Sequence, residues 1–136
     1  MFLTMIQRYQ DIESDGVKLR RLTGLKREEF EALHVLFKEV WQSYFAQFTL
    51  DGTPRSRQAS IRKNSIFSDT IDALLFVLIY LKGEIRQEQL AVFFEMDQPK
   101  ASKYLSLIQR ILLQVLEANP RGIPKSKKLY LSKALL

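Results

Sequence analysis

The sequence contains no cysteine among its 136 residues, so the chain can form neither a disulfide nor a thiolate metal site. Histidine is almost as scarce, since His34 is the only one. One imidazole without cysteine does not make a zinc site, and His34 is expected at the boundary of the core. We therefore expect no metal and no cofactor. A chain without cysteine suits a reducing compartment, and we expect a cytoplasmic protein.

Long hydrophobic runs are lacking as well. The longest uninterrupted run, ALLFVLIYL, covers nine residues from Ala73 to Leu81. A transmembrane helix needs about 20 apolar residues, so this run predicts a buried core helix, and we expect no membrane partner. The first ten residues, MFLTMIQRYQ, have neither the basic region nor the small-residue cleavage site of a signal peptide.

Period-two alternation, the mark of a half-buried strand, is absent along the sequence, and so are internal repeats. Apolar residues instead recur three and four positions apart, most clearly at Phe30, Leu33 and Phe37, which is the helical period. The pattern therefore predicts one all-α domain. Residues such as Gly83 end the predicted helices, which run over 1–13, 17–22, 27–45, 70–82, 86–94 and 99–118. The segment after residue 122 is too short to assign.

Positive charge is concentrated at one end of the chain. The net charge is +6, yet residues 1–97 hold 13 Lys/Arg and 14 Asp/Glu, whereas residues 98–136 hold eight Lys/Arg and one Glu. Such asymmetry suggests an anionic partner, for which nucleic acid and an acidic membrane surface are the candidates, and nucleic acid is the one we expect. The alternative is a lysine-rich segment that only improves solubility.

The change of charge begins inside the stretch FFEMDQPKASKYL, where one predicted helix ends and the next begins. Asp97 is a plausible N-cap for the second helix, and Pro99 falls in its first turn, where a missing N–H does little harm. Together with helix 70–82, which would pack behind them, helices 86–94 and 99–118 are predicted to form a trihelical helix-turn-helix core. An ordinary α-hairpin with a solvated lysine face would show similar spacing. The residues at helix-turn-helix positions are Leu90, Ala91, Phe94, Met96, Ala101 and Tyr104.

Candidate DNA contacts follow from this arrangement. In a helix-turn-helix the start of the second helix lies in the major groove, where Gln can read adenine and Lys can read guanine or neutralise a phosphate. The predicted groove contacts are Gln98, Lys100, Ser102 and Lys103. Arg86 and Gln87, which begin the first helix of the pair, are predicted to hold a phosphate. Sequence-independent affinity is expected from a basic loop, which is equally consistent with a solvated loop, and from a basic C-terminal segment. These residues are Arg55, Arg57, Arg62 and Lys63 in the loop, and Lys125, Lys127 and Lys128 in the C-terminal segment.

Two blocks of the sequence resemble a known family. RRLTGLKREEFEALHVLF (20–37) and DALLFVLIYLKGEIRQEQLAVFFEMDQPKASKYLSLIQRIL (72–112) are similar to the N-terminal helix-turn-helix domain of bacterial insertion-sequence transposases. The resemblance implies binding to double-stranded DNA at terminal inverted repeats, ahead of an RNase H-like domain with an Asp-Asp-Glu triad. The chain departs from the family at Lys26, where a Ser cap is usual, and at Glu95, where the turn usually has glycine. The residues in register include Tyr80, Leu81, Gln87, Glu88, Leu90, Ala91, Phe94, Gln98, Ser102 and Lys103.

The expected organisation has three parts. These are an N-terminal helical region with a basic loop (1–68), the helix-turn-helix core (69–119), and a basic tail or linker to a missing catalytic domain (120–136). No acidic residue follows Glu117, so the triad is not expected in this chain, nor is enzymatic activity. A homo-oligomer or a complex with a full-length transposase is compatible with this role in transposition. Two alternatives stay open, namely a non-catalytic regulator or inhibitor of transposition and a helical protein-interaction module.

Overall fold

The computed structural model describes residues 8–47, 69–119 and 125–135, and within these ranges all regular secondary structure is α-helical. The all-α prediction is confirmed, and the predicted helices 27–45, 70–82, 86–94 and 99–118 agree with the observed ones to within two residues at each end. The basic loop residues Arg55, Arg57, Arg62 and Lys63 lie outside the described residues. The described helices are α1 (Tyr9–Ile12), α2 (Gly16–Thr23), α3 (Arg27–Gln47), α4 (Thr70–Leu81), α5 (Gln87–Phe93), α6 (Gln98–Ala118) and α7 (Lys125–Leu135).

Helix α4 forms the centre of the described fold. It contacts each of the other described helices, and its residues from Asp72 to Ile79 are all buried. A helix that is surrounded on every side needs apolar residues on every side, which explains why its sequence is a continuous apolar run. Among the described residues, no helix combines the length and the hydropathy that a membrane span requires.

The ends of α4 follow the signals in the sequence. The side chain of Asp69 accepts a hydrogen bond of 3.3 Å from the backbone N–H of Ile71, as expected of an N-cap. Gly83 follows the C-cap with φ = +84°, a left-handed conformation that glycine adopts without steric cost. The predicted stop at Gly83 is therefore confirmed.

Helix α1 packs on α3 through an aromatic pair. The rings of Tyr9 and Phe30 stack with centroids 5.1 Å apart, and Tyr9 and Ile12 are both buried. The Tyr9 hydroxyl donates a hydrogen bond of 2.8 Å to Oε2 of Glu31. Burial, reinforced by this carboxylate, raises the pKa of Tyr9 to about 12. The phenol therefore stays protonated at neutral pH, where it donates to Glu31.

The junction between α2 and α3 contains the Leu22-Thr23-Gly24-Leu25 segment. Thr23 is buried, and its hydroxyl donates to the carbonyl oxygen of Leu19 at 2.8 Å and accepts from the N–H of Leu25 at 3.1 Å. Gly24 has φ = +80°, and a Cβ atom at this position would lie 2.9 Å from the Tyr130 hydroxyl. Glycine is therefore required both by the backbone conformation and by the close approach of α7.

Helix α3 begins without a hydroxyl side chain at its N-cap position. The carbonyl oxygen of Lys26 accepts the first helical hydrogen bond from Phe30, which makes Lys26 the N-cap. Three residues later Glu29 reaches back, and its Oε1 accepts from the Lys26 N–H at 2.8 Å. This is the carboxylate half of a capping box, so one exposed N–H group is satisfied without a hydroxyl side chain.

Candidate nucleic-acid interface

The turn between α5 and α6 is closed by two backbone hydrogen bonds. The N–H of Met96 donates to the carbonyl oxygen of Ala91 at 3.0 Å, and the N–H of Glu95 donates to that of Val92 at 3.2 Å. This pair of bonds is a Schellman motif, which needs a left-handed residue just after the helix. Glu95 supplies it with φ = +54°, and no other non-glycine residue in the described part of the chain has a positive φ.

Helix α6 begins at once after this turn. The carboxylate of Asp97 accepts a hydrogen bond of 2.8 Å from the backbone N–H of Lys100, which confirms Asp97 as the N-cap. Pro99 occupies the first turn, where its missing N–H has no helical partner to lose. The first turn contains no acidic residue, so the positive end of the helix dipole and the lysine side chains lie together.

The turn lies within a group of three helices that pack together. Helices α4, α5 and α6 contact one another, and the ring of Phe94 meets that of Phe76 edge-on at 5.0 Å. Met96 and Tyr104 are half-buried against the same core. Three mutually packed helices are compatible with the helix-turn-helix prediction. The helix-turn-helix core and its DNA-binding role both stay predictions. The fully or almost fully buried residues at the predicted positions are Leu90, Ala91, Phe94 and Ala101.

The predicted groove contacts share one location. All four belong to the first two turns of α6 and all four side chains are exposed; they are Gln98, Lys100, Ser102 and Lys103. Lys103 also lies close enough to the half-buried Tyr104 to oppose the rise in pKa that burial gives this phenol. The structure therefore places donors and positive charge on the solvent side of a helix start.

The two predicted phosphate contacts on α5 differ in exposure. Arg86 is exposed, and its Nη1 atom lies 3.9 Å from Oε1 of Glu88, so its charge is partly offset in the free protein. Gln87 is half-buried. Gln89 accepts a hydrogen bond of 2.9 Å from the Arg86 N–H and so caps α5.

The C-terminal basic residues belong to a helix rather than to an extended segment. Leu131 anchors α7 in the core with no exposed surface. The Nζ atom of Lys127 donates to the carbonyl oxygen of Gly24 at 3.1 Å, so this predicted DNA contact is engaged within the protein. Lys128 is half-buried, and the side chain of Lys125 lies outside the described residues.

One exposed cation was not among the predicted contacts. Arg110 lies on the solvent side of α6, seven residues after Lys103. Seven residues are nearly two helical turns, so the two side chains share a face. The seven-residue spacing from Lys103 is the sequence signal for this position.

Metal-binding chemistry finds no support in the described part of the chain, where no group of three or more His, Cys, Asp or Glu residues could hold an ion. The Nε2 atom of His34 instead lies 2.8 Å from the Thr70 hydroxyl oxygen, in a half-buried contact between α3 and α4. His34 is thus a boundary residue, as predicted.

No protein-family model, curated protein or solved structure matches this chain. Support for a function comes instead from the geometry of α4 to α6, from the charge distribution, and from the resemblance of residues 20–37 and 72–112 described above.

Proposed function

We propose that this chain is a sequence-specific DNA-binding domain in which α5 and α6 form a helix-turn-helix and α4 braces them. The observation that supports the proposal most directly is the start of α6. After the tight turn, α6 begins at the N-cap Asp97. Its first two helical turns carry exposed hydrogen-bond donors and positive charge, while the side chains on the other side of the helix are apolar and buried. Such a helix start can enter the major groove and contact base edges.

The four exposed side chains have complementary roles. Gln98 can donate to and accept from adenine, and Lys100 can donate to the O6 and N7 atoms of guanine. Ser102 and Lys103 can bind base edges or the adjacent phosphates. Arg86, at the start of α5, is placed to bind a phosphate once DNA displaces its contact with Glu88.

The resemblance to insertion-sequence transposases suggests which DNA is bound. The proposed target is the terminal inverted repeat of a mobile element, and the proposed role of this domain is binding, while the resemblance assigns catalysis to a separate Asp-Asp-Glu domain. A chain that binds the ends without cleaving them would also compete with a full-length transposase, which is how a regulator of transposition would act.

The proposal can be tested without knowing the target in advance. Duplexes that bind the protein are selected from a randomised pool, and affinities for a selected and a scrambled duplex are compared by fluorescence anisotropy. Lys100→Ala should weaken binding to the selected duplex by about 5- to 150-fold, equivalent to about 1–3 kcal/mol, with a much smaller effect on the scrambled one.

Lys38→Ala is the matched control, because Lys38 is an exposed lysine on α3 and its loss removes the same charge. It should leave the preference for the selected duplex intact. A protein that enriches no sequence and shows no salt-dependent binding to any duplex is not a DNA-binding domain. That outcome would favour the helical protein-interaction module instead.

A further inference from the structure

The exposed side of α6 continues well beyond the proposed groove contacts. Lys103, Arg110 and Glu117 are exposed and follow one another at seven-residue intervals, which places them in one row along the helix. Ser102 and Ser106 are exposed beside this row. The other sides of the helix pack into the core through Ala101, Leu105, Leu107, Ile108, Ile111, Leu112, Val115 and Leu116. The row therefore carries two positive charges followed by one negative charge.

Helix dimensions place Arg110 at a definite distance from the groove contacts. With about 1.5 Å of rise per residue, Arg110 lies about 15 Å along the axis from Lys100. The major groove is about 12 Å wide. A helix that presents Lys100 to the floor of the groove therefore carries Arg110 to its edge, where the phosphate backbone runs. The small side chain of Ser106, between them, allows close approach.

We infer that Arg110 binds the DNA phosphate backbone, and that the DNA-facing surface of α6 extends from Gln98 to Arg110 and ends before Glu117. The inference rests on the proposed function and adds a second kind of contact to it. Arg110 is exposed and forms no ion pair with another described residue. Its planar fork of donors suits phosphate oxygens. Glu117 has the opposite charge and would be repelled by a phosphate.

The test compares Arg110→Ala, Arg110→Lys and the control Lys38→Ala on the selected and scrambled duplexes across a series of salt concentrations. Because a phosphate contact carries no sequence information, Arg110→Ala should weaken binding to both duplexes by the same factor. The slope of log affinity against log salt should become shallower by about 0.9. Arg110→Lys keeps the charge and should keep the slope, and Lys38→Ala should change neither quantity.

The outcomes separate this inference from the proposed function. If Arg110→Ala behaves like Lys38→Ala while Lys100→Ala still loses specificity, Arg110 is not a contact and the proposed function stands. A loss confined to the selected duplex would mean that Arg110 contacts bases, which overturns the backbone assignment. If the unmodified protein has no salt-dependent affinity for DNA, both fail. Because Arg110 is exposed, its substitution should not disturb folding. The melting temperature of each variant is measured to check that a loss of DNA affinity does not come from unfolding.

Discussion

The backbone N–H of Tyr9 donates a hydrogen bond of 2.9 Å to Oδ1 of Asp72, a residue 63 positions later in the chain. Tyr9 is the first residue of α1, and Asp72 lies in the first turn of α4. One buried carboxylate therefore lies at the N-termini of two helices. Burial raises the pKa of Asp72, while the Tyr9 N–H and the nearby Arg8 guanidinium act in the opposite direction. Nη1 of Arg8 also lies 4.0 Å from Oδ2 of Asp72. Because burial disfavours the charged form of Asp72, we expect the hydrogen bond to contribute more than the charge to the attachment of α1 at this point.

Substitutions of Asp72 test this conclusion. Asp72→Asn keeps an acceptor oxygen of the same shape, and because burial disfavours the charged form, it should change the free energy of unfolding by less than about 1 kcal/mol. Asp72→Ala leaves a buried N–H without a partner and should destabilise the protein by about 1–3 kcal/mol. Urea unfolding at neutral pH measures both. If both variants lowered the free energy of unfolding by the same amount, the charge of Asp72, and not its acceptor oxygen, would be the source of the stabilisation.

His34 predicts a pH dependence of stability. Burial, aided by Lys38, lowers the pKa of His34 in the folded state from its ordinary value of 6.5, although Asp69 opposes the shift. The unfolded chain therefore binds a proton at a pH where the folded protein does not. The stability that neutral His34 contributes is present above pH 6.5 and is lost as the pH falls through 6.5 toward the folded-state pKa.

The comparison with His34→Gln isolates this effect, because other groups titrate in both proteins. The difference in unfolding free energy between the two should shrink as the pH falls from 7.5 to 5, values that bracket the ordinary pKa of histidine at about 6.5. Since the chain has a single histidine, its pKa can also be measured directly from the imidazole resonances in an NMR titration. A pKa at or above 6.5 in the folded protein would contradict the burial argument.

Local features were predictable from the sequence, and contacts between distant segments were not. Helix α4 and the caps Asp69 and Asp97 depend on residues within a few positions of one another, so spacing and side-chain type reveal them. The left-handed Glu95 was predictable because the predicted helix-turn-helix register places this residue in the turn. Nothing in the sequence around Asp72 indicates that its partner is Tyr9, because that pairing depends on how the helices pack.

The same limit applies to the C-terminal segment. Its lysines suggested a solvated tail because they lie among few acidic residues, yet Lys127 is oriented by contacts with a turn more than 100 residues earlier in the chain. For the candidate site, the exposed donors at the start of α6 followed from a local N-cap and a local charge pattern. The seven-residue spacing between Lys103 and Arg110 is visible in the sequence, whereas the exposure of Arg110 is a finding of the structure.

Lys127 should matter for stability. Its Nζ atom donates to the Gly24 carbonyl oxygen at 3.1 Å and lies 3.9 Å from Oε1 of Glu29. Lys127→Met removes both contacts and keeps the aliphatic length, and it should destabilise the protein by about 1–2 kcal/mol, because hydrogen bonds from charged groups are stronger than neutral ones.

The neighbouring Lys128→Met is the matched control, since it removes the same charge from the same helix and should cost less than about 0.5 kcal/mol. Both are measured by urea unfolding of the full chain. If Lys128→Met lowered the free energy of unfolding more than Lys127→Met, the contact with Gly24 would not be an important source of stability. Salt titrations of DNA binding for the two variants then show which lysine, if either, also meets phosphate.

Glu95 offers a way to separate backbone strain from charge at the proposed interface. A left-handed conformation costs an ordinary residue roughly 1 kcal/mol more than glycine, so Glu95→Gly should raise the free energy of unfolding by about that amount. Glu95→Gln keeps the strain and removes only the charge, and it should leave stability nearly unchanged. Thermal unfolding of the unmodified protein and the two variants distinguishes strain from charge. A gain in stability for Glu95→Gln would show that charge repulsion, and not backbone strain, destabilises the turn.

Because Glu95 is exposed and lies three residues before Gln98, the first residue of α6, both variants remove a negative charge close to the proposed phosphates. Both should therefore bind selected and scrambled duplexes more tightly by a similar factor, whereas only Glu95→Gly should also be more stable.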